Sequence, residues 1–86
     1  MHFTYILISK DGKRTYTGST SNLQKRIEEH NQGNVKSSKP YRPYELLRVE
    51  EFELLKEARA REEFYKSTTG RRRLKEIVEN WKCRKN

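Results

Sequence analysis

Cysteine occurs once in this chain, proline twice and glycine four times. No apolar run approaches the length of a membrane span. A lone thiol, Cys83, forms neither an intramolecular disulfide nor a cysteine-rich zinc site, and no role is assigned to it. Nor is there an apolar N-terminal leader, so a reducing, cytoplasmic location is the expectation. Apolar residues are scarce as well. They make up 31% of the 86 residues against 37% charged, and Leu, Ile, Val and Phe together are about a fifth of the chain. That leaves room for one small domain spanning 1–86 with a thin core, closing in a basic tail at about 82–86.

What the chain has in excess is positive charge. Twenty Lys and Arg against twelve Asp and Glu give a formal net charge of +8, more than solubility requires. A field of that sign favours nucleic acid and says nothing about fold. No basic helix carries a large apolar face, which argues against a membrane surface.

The apolar residues are spaced, and spacing distinguishes a folded chain from a solvated one. "HFTYILIS" reads as a strand buried on both faces. Asp11-Gly12 predicts a two-residue hairpin turn, after which "RTYTG" returns antiparallel and stops at Gly18. Ser21 with Gln24 reads as a capping box for a helix carrying Leu23 and Ile27, and Gly33 ends it. "VKSSKPYRP" is loop. "YELLRVEEF" is a third strand, and Glu53 to about Ser67 a second helix, broken by "TTG". Leu74, Ile77, Val78 and Trp81 fall at i, i+3, i+4, i+7 on a third helix. The result is an α+β domain, a three-stranded antiparallel sheet flanked by helices in the order β-β-α-β-α-α.

Three groups of residues suggest chemistry. Arg26 and His30, four apart, project from neighbouring turns of one helix face. A guanidinium there offers a fixed fork to a phosphate and an imidazole can pass a proton. Glu62 falls on the stripe made by Leu54, Leu55, Ala58 and Tyr65, where a carboxylate needs a compensating charge. That charge is either a divalent cation or a salt bridge to Lys66, Arg61 or Arg26. Tyr5 and Tyr16 lie on the two strands of the hairpin, close enough to meet across it.

In this order and spacing the residues resemble the GIY-YIG nuclease superfamily. The nearest likeness is its small single-domain, UPF0213-like branch, related to the N-terminal nuclease domain of the excinuclease subunit UvrC. "FTYIL" places Tyr5 in the first motif and "YTG" places Tyr16 and Gly18 in the second. "LQKRIEEHN" supplies Arg26 and His30, and "EARAREEFYK" supplies Glu62, with Lys66 also typical of the small branch. The likeness runs from about residue 3 to residue 76. Phe3-Thr4 replace Gly-Ile and Thr17 replaces Ile, while Ser19 stands where UvrC-like members tend to have lysine.

The resemblance implies the GIY-YIG fold and a metal-dependent endonuclease that hydrolyses phosphodiester bonds, in DNA ahead of RNA, in repair or recombination. One Mg²⁺ or Mn²⁺ would be held by Glu62, Arg26 would stabilise charge on the phosphate, and Tyr5 or Tyr16 would activate the water with His30 relaying the proton. Lys13, Arg14, Lys66, Arg71, Arg72 and Arg73 are the candidates for backbone contact. The three arginines open the third helix, where cations oppose the helix dipole. With few base-reading side chains, targeting falls to substrate structure or to a protein partner. The alternative is a non-catalytic nucleic-acid-binding module that keeps the nuclease fold.

Overall fold

The computed structural model describes residues 1–85; Asn86, at the end of the expected basic tail, lies outside the described residues. Strands β1 (His2–Ser9), β2 (Thr15–Thr20) and β3 (Tyr44–Phe52) form one antiparallel sheet in the order β2-β1-β3. Helix α1 (Leu23–Gln32) follows β2, and α2 (Leu55–Lys66) and α3 (Thr68–Lys85) follow β3. The order β-β-α-β-α-α is the one the sequence predicts.

β1 is central, which is why its apolar run is nearly continuous: Thr4 to Ser9 are all buried. Alternation then sorts its side chains. Tyr5 and Leu7 meet Tyr44 on one face, where Leu23 and Ile27 of α1 and Tyr16 close over them. Ile6 packs with Tyr65 and Ile77 on the other face, against α2 and α3. Thr4 Oγ1 donates to the Ala58 carbonyl at 2.6 Å on that second face. Between Ile6 and Leu7 the pairing with β3 slips by one residue, a bulge that turns Leu47 into the α2/α3 core.

Several local expectations are corrected. The hairpin closes with Ser9 N–H donating to Arg14 O, so its loop is longer than two residues. Ser9 Oγ donates to the Asp11 carboxylate, which also accepts Lys13 N–H, and these side-chain bonds stabilise the wider loop. Gly18 does not end β2 but lies inside it. The α1 cap is Asn22, whose side chain accepts Lys25 N–H at 3.2 Å, rather than Ser21. "TTG" is the first turn of α3: Ser67 alone separates the helices, and its Oγ accepts Gly70 N–H. A Cβ on Gly70 would collide with the Phe64 carbonyl, so only glycine allows so tight a corner. Leu54 and Leu55 stay exposed, because α2 begins at Leu55 and its inward stripe starts only at Ala58. The basic segment read as a tail continues α3 through Lys85.

Candidate active site

Tyr5 and Gly18 are paired across β1 and β2. The tyrosine ring lies over the glycine: a Cβ at position 18 would sit 2.5 Å from the Tyr5 hydroxyl oxygen and 2.8 Å from Cζ. Glycine is required here for clearance. It lets the hydroxyl reach α1, where Arg26 Nε donates to it at 3.3 Å and His30 Nε2 stands 3.1 Å away. His30 is fully buried, and its Nδ1 lies 2.7 Å from Ser38 Oγ, which donates to the Val35 carbonyl.

The direction of this chain of bonds follows from its ends. A guanidinium only donates and a carbonyl only accepts. Tyr5 therefore accepts from Arg26 and gives its own proton to Nε2. His30 carries its proton on Nδ1 and gives it to Ser38, which passes its own to Val35. Burial lowers the His30 pKa, and the Arg26 charge lowers it further, so the ring is neutral near pH 7. Burial raises the Tyr5 pKa against the pull of Arg26. The histidine ring is walled by Tyr16, 4.4 Å between centroids, and edge-on by Tyr5 and Tyr44. Two bonds between the Asn31 amide and the Tyr44 backbone tie the end of α1 to β3, and Tyr44 Oη donates to Ser38 O. That clasp folds the Ser38 loop over the histidine. The Arg26 side chain remains 34% exposed and pairs with Glu29 at 3.5 Å, so the cation reaches solvent while Tyr5 and His30 do not.

Glu62 lies on the other side of the sheet. Ser19 pairs opposite Thr4 and, like Thr4, faces α2; its Oγ donates to Glu62 Oε1 at 2.8 Å. Lys66 Nζ donates to Oε2 at 2.6 Å, the salt bridge that was one of the sequence alternatives. Arg61 instead pairs with Glu50. Burial works against the Glu62 charge, but the bonds from Lys66 and Ser19 outweigh it and hold the carboxyl below its usual range. The negative charge still reaches the Tyr5 hydroxyl, where it adds to the upward push on that pKa. Neighbouring residues of edge strand β2 thus serve the two halves: Gly18 gives clearance to the tyrosine on one face, and Ser19 holds the glutamate on the other.

Beside Glu62 runs a groove of about 580 Å³ between β2 and helices α2 and α3. Lys13, Lys66, Arg71 and Lys75 line it over an apolar floor that includes Tyr65 and Leu74. Among the described residues no cluster of three His, Cys, Asp or Glu exists. One carboxylate with a hydroxyl beside it is not a zinc site. It does suit a hard cation of the Mg²⁺ kind, whose remaining ligands are water and substrate phosphate.

The GIY-YIG catalytic domain family matches residues 1–75. The chain belongs to the GIY-YIG family. Among its relatives, a UPF0213 protein of Clostridium perfringens is 41% identical over 78 residues, covering 90% of this chain and 83% of the relative. The UPF0213 protein YazA of Bacillus subtilis is 37% identical over 73 residues, 84% of this chain and 73% of its own. The solution structure of the UPF0213 protein BH0048 from Bacillus halodurans superposes with a TM-score of 0.52 at 32% identity, covering 88% of this chain and 83% of that one.

In this GIY-YIG chain, Tyr5, Tyr16, Arg26 and His30 come together on the α1 face, while Glu62 stands across the β2 edge from them. His30 is not on the helix surface as its spacing with Arg26 suggests; it lies beneath Tyr5 and out of reach of a phosphate. Of the basic candidates, Lys13, Lys66 and Arg71 share the groove. Arg14 stacks on the Tyr41 ring, and Arg73 pairs with Glu76 and lines a separate small cavity. Arg72 is exposed on α3. Sequence reasoning missed Lys75, although its place one turn after Arg71 was a usable signal. It also missed Ser38, for which a serine-rich loop gives none.

Proposed function

We propose that this domain is a metal-dependent endonuclease that hydrolyses phosphodiester bonds in nucleic acid, DNA ahead of RNA. The observation that supports it is the Tyr5 hydroxyl held between a guanidinium and the unprotonated nitrogen of a buried, neutral histidine. The chain begins at a partly exposed guanidinium, where a phosphate can dock, and this distinguishes it from a network that only satisfies buried polar groups.

In this reading the phosphate docks on the exposed part of Arg26, which stabilises the charge that builds on its oxygens. Docking of the phosphate on Arg26 draws that side chain outward and admits one water to the otherwise buried Tyr5 hydroxyl. The water gives a proton to Oη as Oη gives its own to His30 Nε2. The water oxygen bonds to phosphorus, the bond to the 3′ oxygen breaks with its electron pair, and that oxygen takes a proton from solvent. His30, now cationic, later returns the proton to solvent by the same route. Tyr16 keeps water from the histidine and sets the ring plane. One Mg²⁺ or Mn²⁺, held by Glu62, would supply positive charge at the phosphoryl and leaving oxygens when bound. The groove cations hold the backbone of the strand on the α2 side, which gives salt-sensitive binding with little base readout.

The test is cleavage of labelled duplex, single-stranded, flap and branched DNA with and without Mg²⁺, beside folded Glu62→Ala and Arg26→Ala variants. Metal-dependent cutting lost in both supports the reading. Salt-sensitive binding without cutting, retained in both variants, supports a binding module instead.

A further inference from the structure

The same ammonium serves two places. Lys66 Nζ occupies Glu62 Oε2, the oxygen that faces away from Ser19, and the Lys66 side chain also lines the basic groove with Lys13, Arg71 and Lys75. With Ser19 on Oε1, both carboxylate oxygens are engaged. A cation at Oε2 competes with the ammonium there, because two positive centres on one anionic oxygen repel each other. A phosphate in the groove cannot have the ammonium while it stays on Glu62.

We propose that Lys66 is a coupling residue. In the free protein it guards Glu62; when a nucleic-acid backbone enters the groove it moves to a phosphate and leaves Glu62 open to the cation. This rests on the reading of Glu62 as the cation-holding residue.

The geometry favours exchange over a fixed bridge. The Lys66 side chain is 57% exposed and that of Glu62 only 22%, so the lysine is the member free to move. A pair of this spacing on a solvated helix face is weak and screened by salt. Ser19 stays on Oε1 throughout, so the carboxylate keeps its aim as the lysine leaves. Linkage then demands reciprocity: nucleic acid tightens cation binding by the factor by which the cation tightens nucleic-acid binding. The consequence for the reaction is order, since the free enzyme holds its cation weakly and is charged where substrate is present.

The experiment has two arms. In the first, Mg²⁺ is titrated into the free protein while the backbone amides of Ser19 and Glu62 are followed by NMR, in wild type, Lys66→Met and Glu62→Gln. Lys66→Met should bind Mg²⁺ about 5-fold more tightly than wild type at low salt, and Glu62→Gln should lose binding. In the second arm, a labelled DNA oligonucleotide is bound in EDTA by wild type, both single variants and the double variant. Glu62→Gln should tighten DNA binding about 5-fold when Lys66 is present, and much less in the Lys66→Met background. Equal Mg²⁺ affinity in wild type and Lys66→Met, with additive effects on DNA binding, overturns the coupling and leaves Glu62 as a cation site. Mg²⁺ shifts that persist in Glu62→Gln, or are absent from every variant, overturn the cation reading and the coupling with it.

Discussion

The two faces of the sheet carry the two halves of the site in different physical states. On the α1 side, Tyr5, His30 and Ser38 are each about 1% exposed or less and joined in one directed hydrogen-bond chain. On the α2 side, Glu62 is met by an exposed lysine at the mouth of an open groove lined by cations. The first arrangement is rigid, dry and insensitive to salt. The second is wet, electrostatic and exchangeable. A group that moves protons gains from fixed geometry and a low dielectric, whereas a surface that admits a polyanion has to release its own partners first. β2 separates the two with adjacent residues, Gly18 and Ser19, which face opposite ways.

This contrast can be broken from either side. The largest effect is expected from Arg26→Ala, which removes the cation proposed to dock the phosphate: single-turnover cleavage should fall by about 10²–10³-fold, with the melting transition nearly unchanged. Gly18→Ala should damage both rate and fold, because its methyl displaces the Tyr5 hydroxyl. Denaturant titration should show a loss of about 1–3 kcal/mol, and Ser19→Ala should show far less.

A pH series sharpens the difference. His30 has its folded pKa below its unfolded value of about 6.5. Its contribution is therefore full above that value and is lost as pH falls toward the folded pKa. The melting temperature should decline below about pH 6.5 and the cleavage rate only at lower pH, where the folded His30 takes up its proton, and the decline in melting temperature should be shallower in His30→Gln. Glu62 and Glu50, held below the usual carboxylate range, act only at lower pH.

The smallest effects belong to the groove. Lys75→Ala and Arg71→Ala should each weaken binding of any DNA and reduce the salt slope by about one, with no change in melting. Arg73→Ala, whose partner is Glu76, should change the slope less.

Where the chain punctuates itself, the elements were legible. β3 occupies Tyr44–Phe52 as its pattern predicts, after two prolines, and Gly33 caps α1. The convergence of Tyr5, Tyr16, Arg26 and His30 followed from a short hairpin running into a helix. The burial of His30 did not, because the loop that covers it is closed by side-chain bonds, Tyr44 to the Ser38 carbonyl and Asn31 to the Tyr44 backbone, that hydrophobic spacing does not reveal. The stripe that put Glu62 with Leu54 and Leu55 assumed a helix starting two residues earlier than the one that forms. That Glu62 stands across the sheet from Tyr5 depends on strand register, which hydrophobic pattern alone does not set for a strand as polar as "TYTGST".

The central claim is that the Tyr5 hydroxyl, with His30 behind it, activates the water. The most direct test compares single-turnover cleavage by Tyr5→Phe and Tyr16→Phe, each confirmed as folded, on the DNA the wild type cuts best. Cleavage lost by about 10²-fold or more in Tyr5→Phe, and retained within about 10-fold in Tyr16→Phe, is the expected result. A Tyr5→Phe enzyme that cuts at the wild-type rate, or a Tyr16→Phe enzyme that alone is dead, would contradict it.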